Sequence, residues 1–246
     1  MRAPLPELAV DVVGHPDGDG DALLVLLHGY AEPSSSLTDR LGLIDPHRHC
    51  TTVVPEAPFE HRGAAIWHRA LVTAPLEALE QFDASLHLLD ELLGRLVDQF
   101  GTPLERVVVG GFSQGGGLAL GLLLSADVEH RPAGGFGVCS FPPAFPGFRA
   151  SRSAARGRPF LLASARRDHF APIEASRGGA ATLVEMGVAL TYLETDGEHV
   201  MSDEAAVAVG DWLPGALDGT GEPAPSPHLA GVDTREGFYA DLWDVV

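Results

Sequence analysis

One short motif in this sequence has the residues of an activated nucleophile. Ser113 lies within Gly111-Phe112-Ser113-Gln114-Gly115, which follows a run of valines and precedes an apolar segment. Serine is a poor nucleophile unless it is held exposed beside a base and oxyanion donors. A strand, a sharp turn and a helix would provide that setting, because Gly111 and Gly115 carry no Cβ atoms that would collide. The motif therefore predicts a nucleophile at Ser113, although glycine-rich strand-to-helix turns also bind phosphates.

A serine nucleophile needs a base and a carboxylate that orients the base, and two residues occur in the required order of Ser, Asp and His. Asp168 follows the predicted strand Phe160–Ser164, and His199 follows the predicted strand Ala189–Glu194. His199 would accept the serine proton, and Asp168 would fix the tautomer of the imidazole. His169 is an alternative base, but it adjoins the acid and precedes a helix. A capping role for Asp168 and a loop role for His199 are the structural alternatives.

Two backbone N–H groups are expected to stabilise the oxyanion. One belongs to Gln114, directly after the nucleophile, and the other comes from the loop after the predicted strand Ala22–Leu27. That loop begins with His28, Gly29 and Tyr30. Gly29 allows the backbone to approach closely, so Tyr30 N–H is the expected donor. The side chain of His28 is expected to hydrogen-bond within the loop.

Metal binding has only a weak signal in the sequence. His47, His49 and Cys50 are residue types that bind metals, but a site needs three or four converging ligands and nothing else indicates a partner set. We therefore predict no metal site and interpret this segment as a loop that enters a strand. Cys139 follows apolar residues at a predicted strand end, which predicts a packing role. Two cysteines are too few for a disulfide framework, so reduced thiols are expected.

Apolar runs alternate with amphipathic segments along the chain, which predicts an α/β fold with a mostly parallel, doubly wound sheet of about seven strands and helices on both faces. The predicted strands are Leu8–Val13, Ala22–Leu27, Thr51–Val54, Arg106–Gly110, Gly135–Cys139, Phe160–Ser164 and Ala189–Glu194. The central runs are continuously apolar, as expected when both faces of a strand are covered. The turn-rich segment between the first two strands predicts a hairpin at a sheet edge.

Four longer helices are predicted between these strands. In the first, leucine and phenylalanine recur at steps of three and four residues and form one buried stripe. The last is expected to end at a proline, which cannot continue a helix freely. The predicted helices cover about Leu76–Phe100, the segment from the Ser113 turn to Leu124, Pro172–Met186, and Ser202 to Pro214.

Composition limits the classes of partner and location. The formal net charge of −18 over 246 residues argues against binding to nucleic acid or to anionic lipid surfaces. All 16 basic residues are arginine, which fits either a GC-rich genome or an acidic surface adapted to high salt. No apolar run approaches the length of about 18 residues that a membrane span needs, so no membrane insertion is predicted. The first residues lack the apolar core of a secretory signal, and a cytoplasmic location is expected.

Several motifs together resemble the phospholipase/carboxylesterase branch of the α/β-hydrolases, which includes acyl-protein thioesterases and small bacterial carboxylesterases. The resemblance covers about residues 20 to 214. The matching segments, in order, are Leu26–Tyr30, Val54–Pro58, Trp67, Gly111–Gly116, Ser164–Asp168 with Pro172, and Gly197–His199. This resemblance implies an α/β-hydrolase fold and hydrolysis of carboxylic esters or thioesters by a serine, without a metal or cofactor.

The substrate pocket is where the sequence departs from the family. After Trp67 the chain has His68 and Arg69, without the Trp-Phe-Asp often seen in relatives, so the shape of the acyl pocket is not implied. An apolar acyl or aryl pocket is expected from large side chains in loops or near strand ends, although each of them could instead seal the core. These candidate substrate-binding residues are Trp67, Leu71, Phe141, Phe145 and Phe148.

The composition changes after the last predicted helix. We expect a catalytic domain over residues 1–214, a Gly/Pro-rich linker over 215–232 and an apolar-aromatic tail over 233–246. In the tail, Phe238, Tyr239, Leu242 and Trp243 have near-helical spacing, which predicts an amphipathic turn that docks on the domain or on a second subunit. A homodimer that involves the tail is one alternative, and a disordered segment is another.

Together these features predict a serine hydrolase that cleaves carboxylic esters or thioesters with apolar acyl groups. Ser113, Asp168 and His199 would form its triad, and an acyl-enzyme its intermediate. Lysophospholipase or acyl-protein thioesterase activity is the alternative, and a non-enzymatic binding module on the same fold is a remote one. Acyl chain length is not specified by these residues, because it depends on pocket volume.

Overall fold

A computed structural model describes residues 7–14, 21–221, 223–224, 226–232 and 243–245. Its strands are β1 (Val10–Val13), β2 (Ala22–Leu27), β3 (Cys50–Pro55), β4 (Phe59–His61), β5 (Ala64–Ile66), β6 (Val107–Phe112), β7 (Gly134–Val138), β8 (Phe148–Ala150), β9 (Pro159–Ala165), β10 (Ala189–Thr195) and β11 (Trp243–Val245). Its α-helices are α1 (Leu41–Ile44), α2 (Pro75–Phe100), α3 (Gln114–Leu124), α4 (Arg152–Ala155), α5 (Ile173–Glu185) and α6 (Asp203–Leu217). Short 3-10 helices lie at Ser34–Arg40, Leu104–Arg106 and Pro227–Leu229.

Seven strands form one sheet in the order β1-β3-β2-β6-β7-β9-β10. Only β1 is antiparallel to its neighbour, and the other adjacent strands are parallel. Every residue of β2, β3 and β6 is buried, because helices cover both faces of these central strands. The structure therefore confirms the predicted mostly parallel sheet of about seven strands.

The two faces of the sheet can be read from the alternation along β2. Leu23, Val25 and Leu27 pack in one apolar cluster with residues of α2, α3 and α5. Leu24 and Leu26 pack in a second cluster with residues of α1 and α6. Side chains of a strand point alternately to opposite faces, so one short segment contributes to both cores. The helices thus cover both faces, as the sequence predicts.

The predicted hairpin between the first two strands is wrong. β1 does lie at a sheet edge, but it pairs with β3, in a register that places Val10 opposite Pro55 and Val13 opposite Thr52. β2 cannot accept β1 because β3 and β6 already occupy its two edges. Turn composition predicts where the chain reverses, but it does not show which strand edge is free.

The last helix also differs from the prediction, because α6 continues past Pro214 to Leu217. A proline lacks one N–H, so a single hydrogen bond is lost this close to the helix end. Leu213, Ala216 and Leu217 are all buried in the core. We infer that burial of this final turn outweighs the cost of the proline.

Two small two-stranded sheets have no counterpart in the sequence prediction. β4 and β5 form a hairpin whose turn residues, Arg62 and Gly63, both have positive φ, at 54° and 80°. Such a turn is usually marked by Asn-Gly or Asp-Gly, so Arg-Gly is a weak signal. The other sheet joins β8 and β11, which lie almost a hundred positions apart in the sequence. Local patterns contain no information about such a pairing.

The predicted tail turn lies partly within the described residues. Trp243–Val245 form the extended strand β11, parallel to β8, so a helical turn at Trp243 is wrong. Phe238, Tyr239 and Leu242 lie outside the described residues. Spacing within a few residues cannot distinguish a helical turn from a strand that pairs elsewhere.

A buried carboxylate joins β10 to neighbouring elements. The side chain of Glu194 is fully buried and accepts hydrogen bonds from Arg166, Arg177 and the hydroxyl of Tyr192. His228 of the last 3-10 helix lies 3.8 Å away. Burial alone would raise the pKa of Glu194, but the two arginines outweigh burial and lower this pKa to about 2.

Among the helices of the described residues, none combines the length and the apolar character needed to cross a bilayer.

Candidate active site

The turn between β6 and α3, which we call the elbow (residues 111–115), holds Ser113 in a strained conformation. Ser113 has φ 52° and ψ −117°, and its N–H donates to the carbonyl of Val138 at 2.9 Å. Both glycines of the elbow face the carbonyl oxygen of Leu27: a Cβ atom would lie 2.2 Å from it at Gly111 and 2.1 Å from it at Gly115. Neither position has room for a side chain, as predicted from the two glycines of the motif.

The three residues expected to form a triad meet at the carboxyl ends of β6, β9 and β10. His199 Nε2 lies 2.9 Å from Ser113 Oγ, and His199 Nδ1 lies 2.7 Å from Asp168 Oδ2. The second contact fixes the tautomer, because the carboxylate accepts a proton held on Nδ1 and leaves Nε2 to accept the serine proton. This geometry is what general-base activation of a serine requires.

Asp168 is positioned by backbone as well as by the histidine. Its side chain is fully buried, and Oδ1 accepts the N–H groups of Phe170 and Ala171, both at 2.8 Å. The rings of Phe112 and Phe170 lie 4.8 and 5.1 Å from the imidazole of His199. The neighbouring His169 is exposed, whereas the carboxylate of Asp168 is paired with His199.

Two backbone N–H groups, those of Tyr30 and Gln114, are the expected donors of an oxyanion hole, and both are available for such a role. Gln114 is the first residue of α3, where N–H groups have no partner within the helix. The N–H of Tyr30 has no hydrogen-bond acceptor among the described residues. Its neighbour Ala31 has φ 58° and donates its N–H to the carbonyl of Ala65 at 3.0 Å, which fixes the loop.

Buried side chains hold the loop that carries Tyr30. The ring of His28 bonds the carbonyl of Gly29 through Nδ1 at 2.8 Å and accepts the N–H of Ala57 at Nε2, at 3.1 Å. Burial lowers the pKa of His28, which suits a neutral ring with one donor and one acceptor. The indole N–H of Trp67 donates to the carbonyl of His28 at 2.9 Å. His28 therefore bonds within this loop region, as the sequence predicts.

An apolar cavity of about 480 Å³ opens beside Ser113 and His199. Its wall includes Leu71, Phe141 and Phe145, three of the expected substrate-binding residues. Trp67 is fully buried behind the loop of Tyr30 and does not line the cavity, so the expected substrate contact at Trp67 is wrong. Phe148 packs against Phe82 and borders a separate cavity.

The donor atoms of the site fit proton transfer better than metal binding. Ligand atoms of Cys139, Asp168 and His199 lie within 4.8 Å of one another, the one such grouping in the part of the chain that the structure describes. A cation there would have to separate His199 from Asp168, whose atoms are already 2.7 Å apart. Burial and the charge of Asp168 raise the pKa of the Cys139 thiol to about 12, so it holds its proton.

The family model described as Phospholipase/Carboxylesterase matches residues 8–180 of this chain. The chain belongs to the phospholipase/carboxylesterase family. The match includes Ser113 and Asp168 and ends before His199, whose place in the site rests on the sequence motifs and on the geometry described above. Membership also agrees with the resemblance seen in the sequence motifs.

Similarities to individual proteins agree with membership of the phospholipase/carboxylesterase family. Acyl-protein thioesterase 1 of Eremothecium gossypii is 45% identical over 67 residues, a match that spans only 27% of each chain. The Bacillus cereus carboxylesterase aligns with TM-score 0.73 and 17% identity, over 85% of this chain and 94% of its own. Acyl-protein thioesterase 2 of Zea mays aligns with TM-score 0.67 and 21% identity, over 85% and 99%. At these identities the structures show a shared α/β-hydrolase fold.

Three cavity residues of this family member were not expected from the sequence. Phe82 belongs to the apolar stripe of α2, which indicates core packing, yet it also borders the cavity. Phe170 lies two residues after Asp168, and that position could have indicated its place beside His199. His68 has no local signal other than its departure from the family pattern.

Proposed function

We propose that this protein is a serine hydrolase that cleaves carboxylic esters or thioesters with apolar acyl groups through an acyl-enzyme. The observation that carries the proposal is the continuous hydrogen-bonded chain of Ser113, His199 and Asp168 at the edge of an apolar cavity. Family membership supports ester hydrolysis, because the family is described as Phospholipase/Carboxylesterase.

In the first half of the reaction, Ser113 Oγ attacks the substrate carbonyl carbon while His199 Nε2 accepts the serine proton. The carbonyl oxygen becomes an oxyanion, which the N–H groups of Tyr30 and Gln114 stabilise. His199 then donates its proton to the leaving alcohol or thiol as the bond from carbon to oxygen or sulfur breaks. The acyl group remains esterified to Ser113.

In the second half, a water molecule takes the place of the leaving group. His199 accepts one water proton, the hydroxide attacks the acyl carbon, and the proton returns to Ser113 Oγ as the carboxylic acid departs. Asp168 keeps its charge throughout and stabilises the imidazolium form of His199. The hydrogen bonds from Phe170 and Ala171 hold that carboxylate in place while His199 gains and loses its proton.

Thioesters of acylated proteins are a second candidate substrate class. The observation that favours it is the 45% identical segment shared with an acyl-protein thioesterase. The chemical steps are the same, because only the leaving atom differs. A lysophospholipase activity is less favoured, since a net charge of −18 opposes approach to anionic lipid surfaces.

The proposal is tested by active-site labelling and by hydrolysis of a panel of p-nitrophenyl esters and matched acyl thioesters. We expect a fluorophosphonate to label the protein with one equivalent, and Ser113→Ala to abolish labelling and reduce kcat/KM by at least about 1,000-fold. The matched control is Ser153→Ala, at an exposed serine of α4. Normal turnover by Ser113→Ala would contradict the mechanism. Binding of esters without turnover by the wild type would instead support a binding module.

A further inference from the structure

The cavity wall holds few polar side chains, and most of their polar atoms are occupied. Ser113 and His199 are bonded to each other. The amide of Gln114 is used twice: Oε1 accepts the N–H of Trp67 at 3.3 Å, and Nε2 donates to the carbonyl of His68 at 2.8 Å. None of these groups is left to bind the distal part of a substrate.

Two further wall residues are also unsuited to that role. Ser140 Oγ has no hydrogen-bond partner among the described residues, but it is sealed from solvent, and a Cβ on Gly116 would lie 2.6 Å from it. The thiol of Cys139 is directed to the carbonyl oxygens of Glu198 and Val200, at 3.8 and 3.6 Å. Among the described residues that line the cavity, the imidazole of His68 is therefore the polar side chain with an atom that is both unpartnered and open to solvent.

The spare atom is Nε2, and its hydrogen-bonding character follows from the other ring nitrogen. Nδ1 lies 2.8 Å from the carbonyl oxygen of Arg69, which can only accept, so Nδ1 holds the proton. The amide of Gln114 lies 3.3 Å from the same nitrogen but makes its shorter bond to the carbonyl of His68. Nε2 is thus an acceptor, it has no partner among the described residues, and it is not sealed from solvent.

Packing holds the His68 ring in one orientation in the wall. The rings of Phe82 and Phe145 meet it edge to face, with centroid distances of 5.8 and 5.3 Å. Burial lowers the pKa of His68, so the ring stays neutral and Nε2 stays an acceptor at neutral pH.

We propose that His68 Nε2 selects substrates, and that the preferred esters or thioesters have an apolar acyl group bearing one hydroxyl, or another O–H or N–H donor, that bonds this nitrogen. This inference rests on the proposed function and names its substrate class. An unsubstituted acyl chain would displace water from Nε2 without supplying a hydrogen-bond donor, so this buried acceptor would be left unsatisfied. Sites built to bond a hydroxyl reject analogues that lack it more strongly than apolar pockets reject analogues of the wrong size.

The test compares methyl octanoate with its monohydroxylated positional isomers, by acid release with the uncatalysed rate subtracted. In the wild type we expect at least one isomer to exceed methyl octanoate in kcat/KM by about 10-fold. In His68→Phe the same ratio should fall below one, because the hydroxyl would be buried without an acceptor. In His68→Gln, whose Oε1 can accept near the position of Nε2, part of the preference should return.

The ratio within each variant is the readout, so a general loss of activity or stability cancels. Ratios near one for every isomer in the wild type, or an unchanged preference in His68→Phe, would overturn the inference. Either result with Ser113-dependent turnover of methyl octanoate leaves the proposed function intact. Absence of Ser113-dependent turnover of every ester would instead refute the proposed function.

Discussion

The elbow around Ser113 and the side-chain part of the cavity wall (residues 68, 70–72 and 141–145) meet at the same cavity, but different forces determine their shapes. The elbow is held by backbone packed on backbone, since both of its glycines face the carbonyl of Leu27. The wall is made of side chains packed on side chains, such as Phe145 against Phe82 at 4.4 Å. A clash between backbone atoms cannot be relieved by a change of rotamer, whereas side chains can repack. Substitution of either elbow glycine should therefore be severely destabilising, whereas substitutions in the wall should give graded effects.

The largest effect should come from Gly115→Ala in the elbow. The new Cβ would lie 2.1 Å from a backbone oxygen, so we expect a loss of about 3 kcal/mol or more in the free energy of unfolding, with activity lost as well. Chemical denaturation measures this loss. Gly178→Ala is the control, because that glycine is also helical and has nothing within 4 Å of its Cβ position. Near-equal stability of the two variants would show that the elbow can accommodate a Cβ atom at position 115.

An intermediate effect is expected from Trp67→Phe, where the wall meets the loop of Tyr30. The change leaves the buried carbonyl of His28 without the indole donor, which should cost about 1–2 kcal/mol of stability. It should also lower kcat about 10-fold, because the Tyr30 donor loses part of its support. Thermal melting and steady-state kinetics measure the two quantities.

The control for that variant is Trp212→Phe in α6, whose ring packs near Phe136 on the other face of the sheet. It should change stability without changing kcat. Equal falls in kcat for both variants would indicate that kcat responds to the fold in general and not to the support of the Tyr30 loop by Trp67.

The smallest effect should come from Leu71→Ala in the wall. Loss of the side chain enlarges the cavity, so we expect the preferred acyl chain to become longer or bulkier, with changes in kcat/KM of about three- to tenfold. A chain-length series measures the shift. Leu76→Ala is the control, because Leu76 is 79% exposed and lies outside the cavity wall. An unchanged chain-length profile in Leu71→Ala would remove Leu71 from the substrate pocket.

The same contrast explains how much the sequence could predict. The central strands are continuous apolar runs, and the elbow is a contiguous motif with a steric requirement, so both can be read locally. The pairing of β1 with β3, and of β8 with β11, depends on which strand edges are free in the folded chain.

The sequence prediction and the structure agree least well in the cavity wall, and for a similar reason. Trp67 and His68 are adjacent, yet the first points into the protein and the second borders the cavity. Their residue types suggest the opposite, with an aromatic ring in the pocket and a polar ring elsewhere. The orientation follows from bonds to His28 and Arg69, which no local pattern specifies.

The arginine pair around Glu194 has a practical consequence for handling this acidic protein. Its net charge reaches zero near pH 4.8, where molecules no longer repel one another and solubility should be lowest. Glu194, with a pKa of about 2, remains ionised there. Because that pKa is depressed, the stability it contributes is lost only as the pH falls on toward 2. Near pH 4.8 this protein should therefore be least soluble while the ion pairs around Glu194 still contribute to its stability.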